Sequence, residues 1–207
     1  MNRTDVINRL IQKYNYKTYL EVGVRDMNAN FNNIHIDYKE SCDIAQIKGL
    51  TYNMTSDEMF EQMDKDKKFD IIFIDAMHDE SYADRDIHNS LKHLNIGGVI
   101  CIHDVLPTHK SMTVKKEKYD DSVAWTGDVY KSIAKLYGTD IDYVTVDNGD
   151  YGLGIIRYNK ECSNDLDKKC EYSYEDLFND MNHFGKHITE LGKKVLHVIQ
   201  INDPYLK

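Results

Sequence analysis

The run Phe69-Asp-Ile-Ile-Phe-Ile-Asp-Ala-Met-His78 decides how this chain folds. A near-continuous apolar stretch that stops on an acid reads as a strand buried on both faces, the kind found inside parallel sheets. Val99-Ile-Cys-Ile-His-Asp104 repeats the pattern behind a Gly97-Gly98 turn, and the intervening segment, about 80–94, has helical spacing. Strand, helix, strand in that order is a right-handed βαβ unit, and open α/β sheets carry their chemistry just past the carboxyl ends of such strands. Asp75, His78, His103 and Asp104 are therefore the first candidates for a functional site.

Upstream, Val6, Ile7, Leu10, Ile11 and Tyr14 recur at helical spacing behind Thr4 or Asp5 as caps. A strand over Thr18–Val22 follows, then a helix over 28–36, strands over 40–45 and 50–53, and a helix over 56–63 capped by Ser56. Downstream, a helix over 127–137 leads to strands over 142–146 and 154–158. Asn148-Gly149 between those strands is a hairpin signal, so the last strand should run antiparallel to its neighbour. The expected architecture is α/β, a doubly wound sheet, mostly parallel with an antiparallel last strand.

The C-terminal segment has another period. Tyr174, Leu177, Met181, Phe184, Ile188, Leu191, Val195 and Val198 fall at alternating three- and four-residue steps, an apolar seam of about three heptads that predicts one long helix. Gly185 and Gly192 weaken a free-standing helix, which favours a helix lying on the domain over a coiled-coil dimer. The chain is thus expected to divide into a domain over 1–160 and a C-terminal helical extension over 161–207, packed on the domain or on the partner of a homodimer.

With 207 residues the chain is large enough for one domain with a real core. No apolar run approaches the ~20 residues of a membrane span, and Met1-Asn-Arg-Thr-Asp5 lacks the apolar core of a signal peptide, so a cytoplasmic protein without membrane contact is expected. The four cysteines form no CxxC pair, which leaves disulfide and zinc frameworks without support. A net charge of -9 argues against nucleic acid, whose phosphates need a basic face. The expected partner is a small molecule.

Tyr19-Leu-Glu-Val-Gly-Val-Arg-Asp-Met-Asn-Ala-Asn-Phe31 is a strand, an acid and a glycine turn. Gly23 either lets a ligand approach the backbone or only makes the turn, and Glu21 beside it can anchor a cationic or hydroxylated group. The stretch is not GxGxxG and lacks a P-loop lysine, so nicotinamide and ATP lose support. About twenty residues after Glu21, Asp43 ends the second strand, where Rossmann-like sheets place a carboxylate for ribose hydroxyls. Asp37, its competitor, falls where the preceding helix should still be running.

Tyr19-Leu-Glu-Val-Gly-Val-Arg-Asp26, Thr55-Ser-Asp57, Phe69 to His78, His103-Asp-Val-Leu-Pro107 and Trp125-Thr-Gly-Asp-Val-Tyr-Lys131 occur in order. Together, over about 19–156, they resemble the class I S-adenosylmethionine-dependent methyltransferases, in the small bacterial and phage-type group related to sugar and natural-product O-methyltransferases. The resemblance implies a Rossmann-like fold, S-adenosylmethionine as cofactor, and an acceptor hydroxyl on a sugar or small polar metabolite. It implies that Glu21 and the Gly23 turn hold the methionine part, Asp43 the ribose and Ser56-Asp57 the adenine edge, with Asp75 closing the cofactor side. The usual second glycine of the first loop is replaced in Met27-Asn-Ala-Asn30, where Asn30 would supply a polar contact instead.

In the resembling metal-dependent catechol-type enzymes a lysine base stands three residues past the strand-four acid. The resemblance gives that role to His78, against the alternative of a histidine capping the next helix. Those relatives bind magnesium through positions matching Asp75 and His103-Asp104. Asp75 and Asp104 would be the ligands here, but a histidine suits magnesium poorly, so a divalent metal is not favoured. Without it, His103 is a second acid/base candidate, and Asp104 orients it or binds a substrate hydroxyl. Two rival readings stand beside this one: a cofactor-binding protein without turnover, and a metal-dependent hydrolase with Asp75, His78, His103 and Asp104 as ligands.

The aperiodic stretch 105–124 carries His109, Lys110, Lys115, Lys116 and Lys118 and has the length of a functional lid or a disordered segment. Its lysines either hold a phosphate or carboxylate on the acceptor or form a solvated charge run. Trp125, which closes it, either packs on an acceptor ring or pins the next helix.

Overall fold

Strands β1 (Thr18–Val22), β2 (Tyr38–Cys42), β3 (Phe69–Ile74), β4 (Leu94–His103), β5 (Asp142–Asp147), β6 (Leu153–Arg157) and β7 (Val198–Gln200) form one sheet in the order β2-β1-β3-β4-β6-β5-β7. The computed structural model describes residues 1–157, 168–180 and 187–206. The pairs β1–β2, β1–β3, β3–β4 and β5–β7 are parallel, while β6 runs antiparallel to both β4 and β5. That reversal places the β5–β6 turn at the carboxyl end of β4, because His103 pairs with Leu153.

Both faces of the sheet are covered, as the unbroken apolar strands require. On one face Tyr19, Ile71, Phe73, Val99 and Cys101 meet Val6, Ile7, Leu10 and Ile11 of helix α1 (Arg3–Tyr14). Each of those four α1 side chains is buried, a gain of about 2 kcal/mol apiece before chain entropy is counted. On the other face Leu20, Val22, Ile72, Ile74, Ile100 and Ile102 meet helices α2 (Ser56–Gln62), α3 (Glu80–Lys92) and α4 (Tyr130–Ala134). Among the described residues no helix is long and apolar enough to cross a membrane.

Several local expectations are corrected. Helix α1 is capped by Asn2, whose side chain and Asp5 exchange hydrogen bonds in a capping box; Thr4 is buried instead. Thr55, not Ser56, caps α2 in the same way. The segment 28–36 holds only a 3-10 turn, Phe31–Asn33. The Asn33 side chain donates to the Asn28 carbonyl and the Asp26 carboxylate accepts from the Asn28 amide, offering the backbone local partners that compete with a helix. The strand expected over 50–53 is reduced to one bridge, Tyr52 to Cys42.

The C-terminal seam is not one long helix. Helix α5 (Tyr174–Leu177) ends at Phe178, which bridges Ile188, and helix α6 (Glu190–Val195) leads into β7 on the sheet edge. Gly192 lets the two short helices touch, since a Cβ there would stand 2.1 Å from the Leu177 carbonyl oxygen. The seam positions Leu177 and Val195 are buried within the chain's own core. Met181, Phe184 and Gly185 lie outside the described residues, as does Cys162.

Candidate active site

β1, β3 and β4 end level with one another, Val22 beside Ile74 and Ile74 beside Ile102, so the residues that follow them share one edge. Gly23 adopts a φ of 88° and packs directly on the end of β3: a Cβ there would lie 2.3 Å from the Asp75 carbonyl oxygen. Asp104 also has a positive φ, 64°, in the left-handed region that aspartate tolerates better than most residues. That backbone turn leaves its carboxylate beside His78 and His103.

Four of the sequence candidates meet at this edge. His78 Nε2 lies 3.4 Å from Asp75 Oδ1 and 3.2 Å from Asp104 Oδ2. His103 Nδ1 lies 3.5 Å from Asp75 Oδ1 and 3.3 Å from Asp104 Oδ1. Backbone carbonyls fix the tautomers, because a carbonyl can only accept. His78 Nδ1–H donates to the Trp125 carbonyl at 2.6 Å, and His103 Nε2–H donates to the Asp150 carbonyl at 2.7 Å. The remaining ring nitrogen of each histidine therefore faces the carboxylates.

Burial by itself would lift the Asp75 carboxyl, but His103 and His78 reverse this and hold it below the usual carboxylate range. Burial would likewise lower His78; Asp75 and Asp104 override it and raise the imidazole above its ordinary value. His103 is raised further, by the same two carboxylates and Asp150. The Asp150 carboxyl is held at about 2, chiefly by the hydrogen bond to His103.

In the neighbouring half of the edge, Glu21, buried at the end of β1, accepts hydrogen bonds from the Tyr19 hydroxyl and from Asn30 Nδ2, the latter at 2.8 Å. Asn30 Oδ1 in turn accepts from the Thr4 hydroxyl at 2.7 Å. Burial pushes the Glu21 carboxyl up to about 7, against those hydrogen bonds. Asp43 follows the last residue of β2, and its two oxygens accept from the amides of Arg25 at 2.8 Å and Ala45 at 2.7 Å. Asp37 directly precedes β2, at the opposite end of the strand, and lies outside any helix. Ser56 and Asp57 occupy the first turn of α2, where Asp57 pairs with Arg85 at 3.0 Å.

A sequence model of the methyltransferase domain family matches residues 44–105. No curated protein sequence matches the chain. Among solved structures, a Podospora anserina methyltransferase bound to S-adenosylhomocysteine is similar at a TM-score of 0.55 and 15% identity, over 77% of this chain and 80% of that one. A Bacillus cereus O-methyltransferase in complex with S-adenosylhomocysteine gives 0.52 and 15%, over 76% and 82%. A Streptomyces achromogenes O-methyltransferase of tomaymycin synthesis, in complex with S-adenosylmethionine, gives 0.51 and 13%, over 76% and 79%. The chain has the class I methyltransferase fold.

Within this methyltransferase fold, the long loop after β4 is fastened to His78. The Trp125 ring centroid lies 5.2 Å from that of His78 and 5.8 Å from that of Tyr119, with Lys116 Nζ 4.8 Å above the indole. Gly127 is what permits the approach, since a Cβ there would fall 1.5 Å from the His78 carbonyl oxygen. The loop lysines are engaged in pairs: Lys110 with Glu175, and Lys115 with Asp79 at 2.7 Å and Asp128 at 3.1 Å. Two surface depressions, one at Asp84, Arg85 and Lys135 and one along the outer side of α1, contain none of these candidates.

Two further residues, Asp150 and Arg3, join the corner without any local motif in the sequence to mark them. Asp150 lies in the β5–β6 turn, which the antiparallel β6 brings to the carboxyl edge. Arg3, in the first turn of α1, donates to Asp150 Oδ2 at 2.8 Å and places Nε 3.7 Å from Asp75 Oδ2. This bears on the magnesium of metal-dependent relatives. One donor atom each from Asp75, His78 and Asp104 converges within 4.8 Å, but the set includes imidazole nitrogen and Asp75 already faces a guanidinium. The residues present do not fit magnesium, which demands oxygen ligands in a near-octahedral shell.

Proposed function

We propose that the chain is an S-adenosylmethionine-dependent O-methyltransferase that acts on a hydroxyl of a sugar or other small polar metabolite, with His78 as general base. The observation that carries this reading is the direct contact of the Gly23 turn with the Asp75 carbonyl, which sets a cofactor-type loop against the His78–Asp104 corner. The methyltransferase domain match and the cofactor-bound neighbours of the same fold support it.

In this reading Glu21, Gly23 and Asn30 take the methionine end of the cofactor, Asp43 the ribose, Ser56 and Asp57 the adenine edge, and Asp75 the border with the acceptor. The sulfonium supplies an activated methyl group, so the protein's task is to hold the acceptor oxygen in line and to receive its proton. Neutral His78 keeps Nδ1–H on the Trp125 carbonyl, which leaves the Nε2 lone pair to take that proton. The imidazolium so formed faces Asp75 and Asp104, whose negative charge stabilises it. His103 and Asp104 orient the acceptor hydroxyl from the other side.

Titration calorimetry with S-adenosylhomocysteine should show saturable binding, equal for wild type and His78→Ala. Methyl transfer by His78→Ala, assayed over a panel of sugar and polyol acceptors, should fall by about 100-fold or more. Wild-type turnover should rise with pH through a value above 6.5, as the raised His78 loses its proton. Transfer by His78→Ala at the wild-type rate would remove the residue from the mechanism.

A further inference from the structure

Arg3 is remote in sequence from every strand end, yet its side chain is mostly buried in the acidic corner, 19% exposed. Its Nε is buried and within ion-pair distance of Asp75, but has no hydrogen-bond partner. With its neighbours it closes a ring of alternating charge: Arg3 to Asp150 at 2.8 Å, Asp150 Oδ2 to His103 Nε2 at 3.5 Å, His103 Nδ1 to Asp75 Oδ1 at 3.5 Å, and Asp75 Oδ2 back to Arg3 Nε at 3.7 Å. His78 and Asp104 attach to this ring at Asp75 and His103.

Three carboxylates, Asp75, Asp104 and Asp150, thus converge on a poorly solvated corner, and such charges persist only when cations answer them. The two imidazoles can lose their protons; a guanidinium cannot. We propose that Arg3 is the resident cation of this corner, a positioning residue that anchors Asp75 and Asp150 and thereby keeps Asp75, His78 and Asp104 from acting as a divalent-metal site. A metal on the Asp75 carboxylate would stand close to the fixed guanidinium, and like charges a few ångströms apart repel strongly where water is scarce. Removing the guanidinium while leaving the three donors intact should uncover a latent metal site. The proposal uses the methyltransferase reading only in taking this corner as the acceptor side.

The test is manganese binding by the full-length chain after chelator treatment, measured by calorimetry and by electron paramagnetic resonance of free Mn²⁺. Wild type and Arg3→Lys should bind weakly and alike, because lysine restores the charge. Arg3→Met and Arg3→Gln should each bind at least about ten-fold more tightly. If Arg3→Met does not fold, Arg3→Gln against Arg3→Lys carries the same comparison, since the pair differs at position 3 in charge. Stoichiometric metal in the purified wild type, or Mn²⁺ binding unchanged on loss of the guanidinium, overturns the proposal. Binding of S-adenosylhomocysteine is measured on the same samples. Its absence would refute the methyltransferase reading and leave the manganese result standing.

Discussion

Two carboxylates at the same sheet edge, buried Glu21 on β1 and partly buried Asp75 just after β3, are displaced in opposite directions from the usual carboxylate range. Glu21 is met by a hydroxyl and an amide, and burial lifts its carboxyl to about 7. Asp75 is met by His78, His103 and Arg3, and its carboxyl lies below the usual range despite its burial. Depth does not decide the charge of a buried acid; the chemistry of its partners does. One half of the edge is left short of a cation and the other is already supplied with them, which suits a cationic cofactor on the first side and a neutral acceptor on the second.

The harshest way to break this comparison is to force the halves apart. Gly23→Ala would put a side chain at a left-handed φ and 2.3 Å from the Asp75 carbonyl oxygen, so β1 and β3 must separate at their ends. A loss of at least about 3 kcal/mol is expected in urea unfolding, with cofactor binding lost as well.

Acid titration of stability sharpens it next. Glu21 is raised in the folded state, so its contribution is whole below pH 4.5 and is lost as pH rises through about 7. The span corresponds to about 3 kcal/mol, and Glu21→Gln should flatten the stability curve by that amount between those limits. Asp75 is depressed, so its contribution is present above 3.8 and is lost as pH falls below it. His103 is raised, so its contribution is complete below 6.5 and fades as pH climbs through its folded value. Urea titrations of both proteins at a series of pH values read these opposed slopes.

The smallest effect tests how far the hydrogen-bond network around Glu21 extends. Thr4→Val deletes the donor to Asn30 Oδ1 and leaves a buried acceptor unpaired, which should cost about 1 to 2 kcal/mol with an unchanged urea slope. An equal loss for Thr4→Val in an Asn30→Ala background would show that the network does not include Thr4.

What was legible in the sequence followed from strand ends. Apolar runs terminating at Asp75 and Asp104 revealed both the sheet and the residues at its edge, because burial on two faces leaves few other readings for such runs. Asn148-Gly149 announced the reversed β6. Apolar period alone misled in the C-terminal segment, where Tyr174, Leu177 and Val195 keep helical spacing but serve two short helices and a strand edge. The polar cluster after Gly23 hid the failure of the second helix, since a period says nothing of side chains that bond to nearby backbone. Arg3 was invisible for a different reason: its role depends on where α1 begins relative to the edge, a tertiary fact without a local pattern.

Trp125 is the chain's single tryptophan, and its indole lies against the His78 ring and under Lys116. Nature has thereby placed one optical probe at the loop after β4. Tryptophan emission, excited selectively over the chain's 15 tyrosines, reports a single address, and any compound that enters the corner, lifts the loop or changes the charge on His78 will register in it without a label.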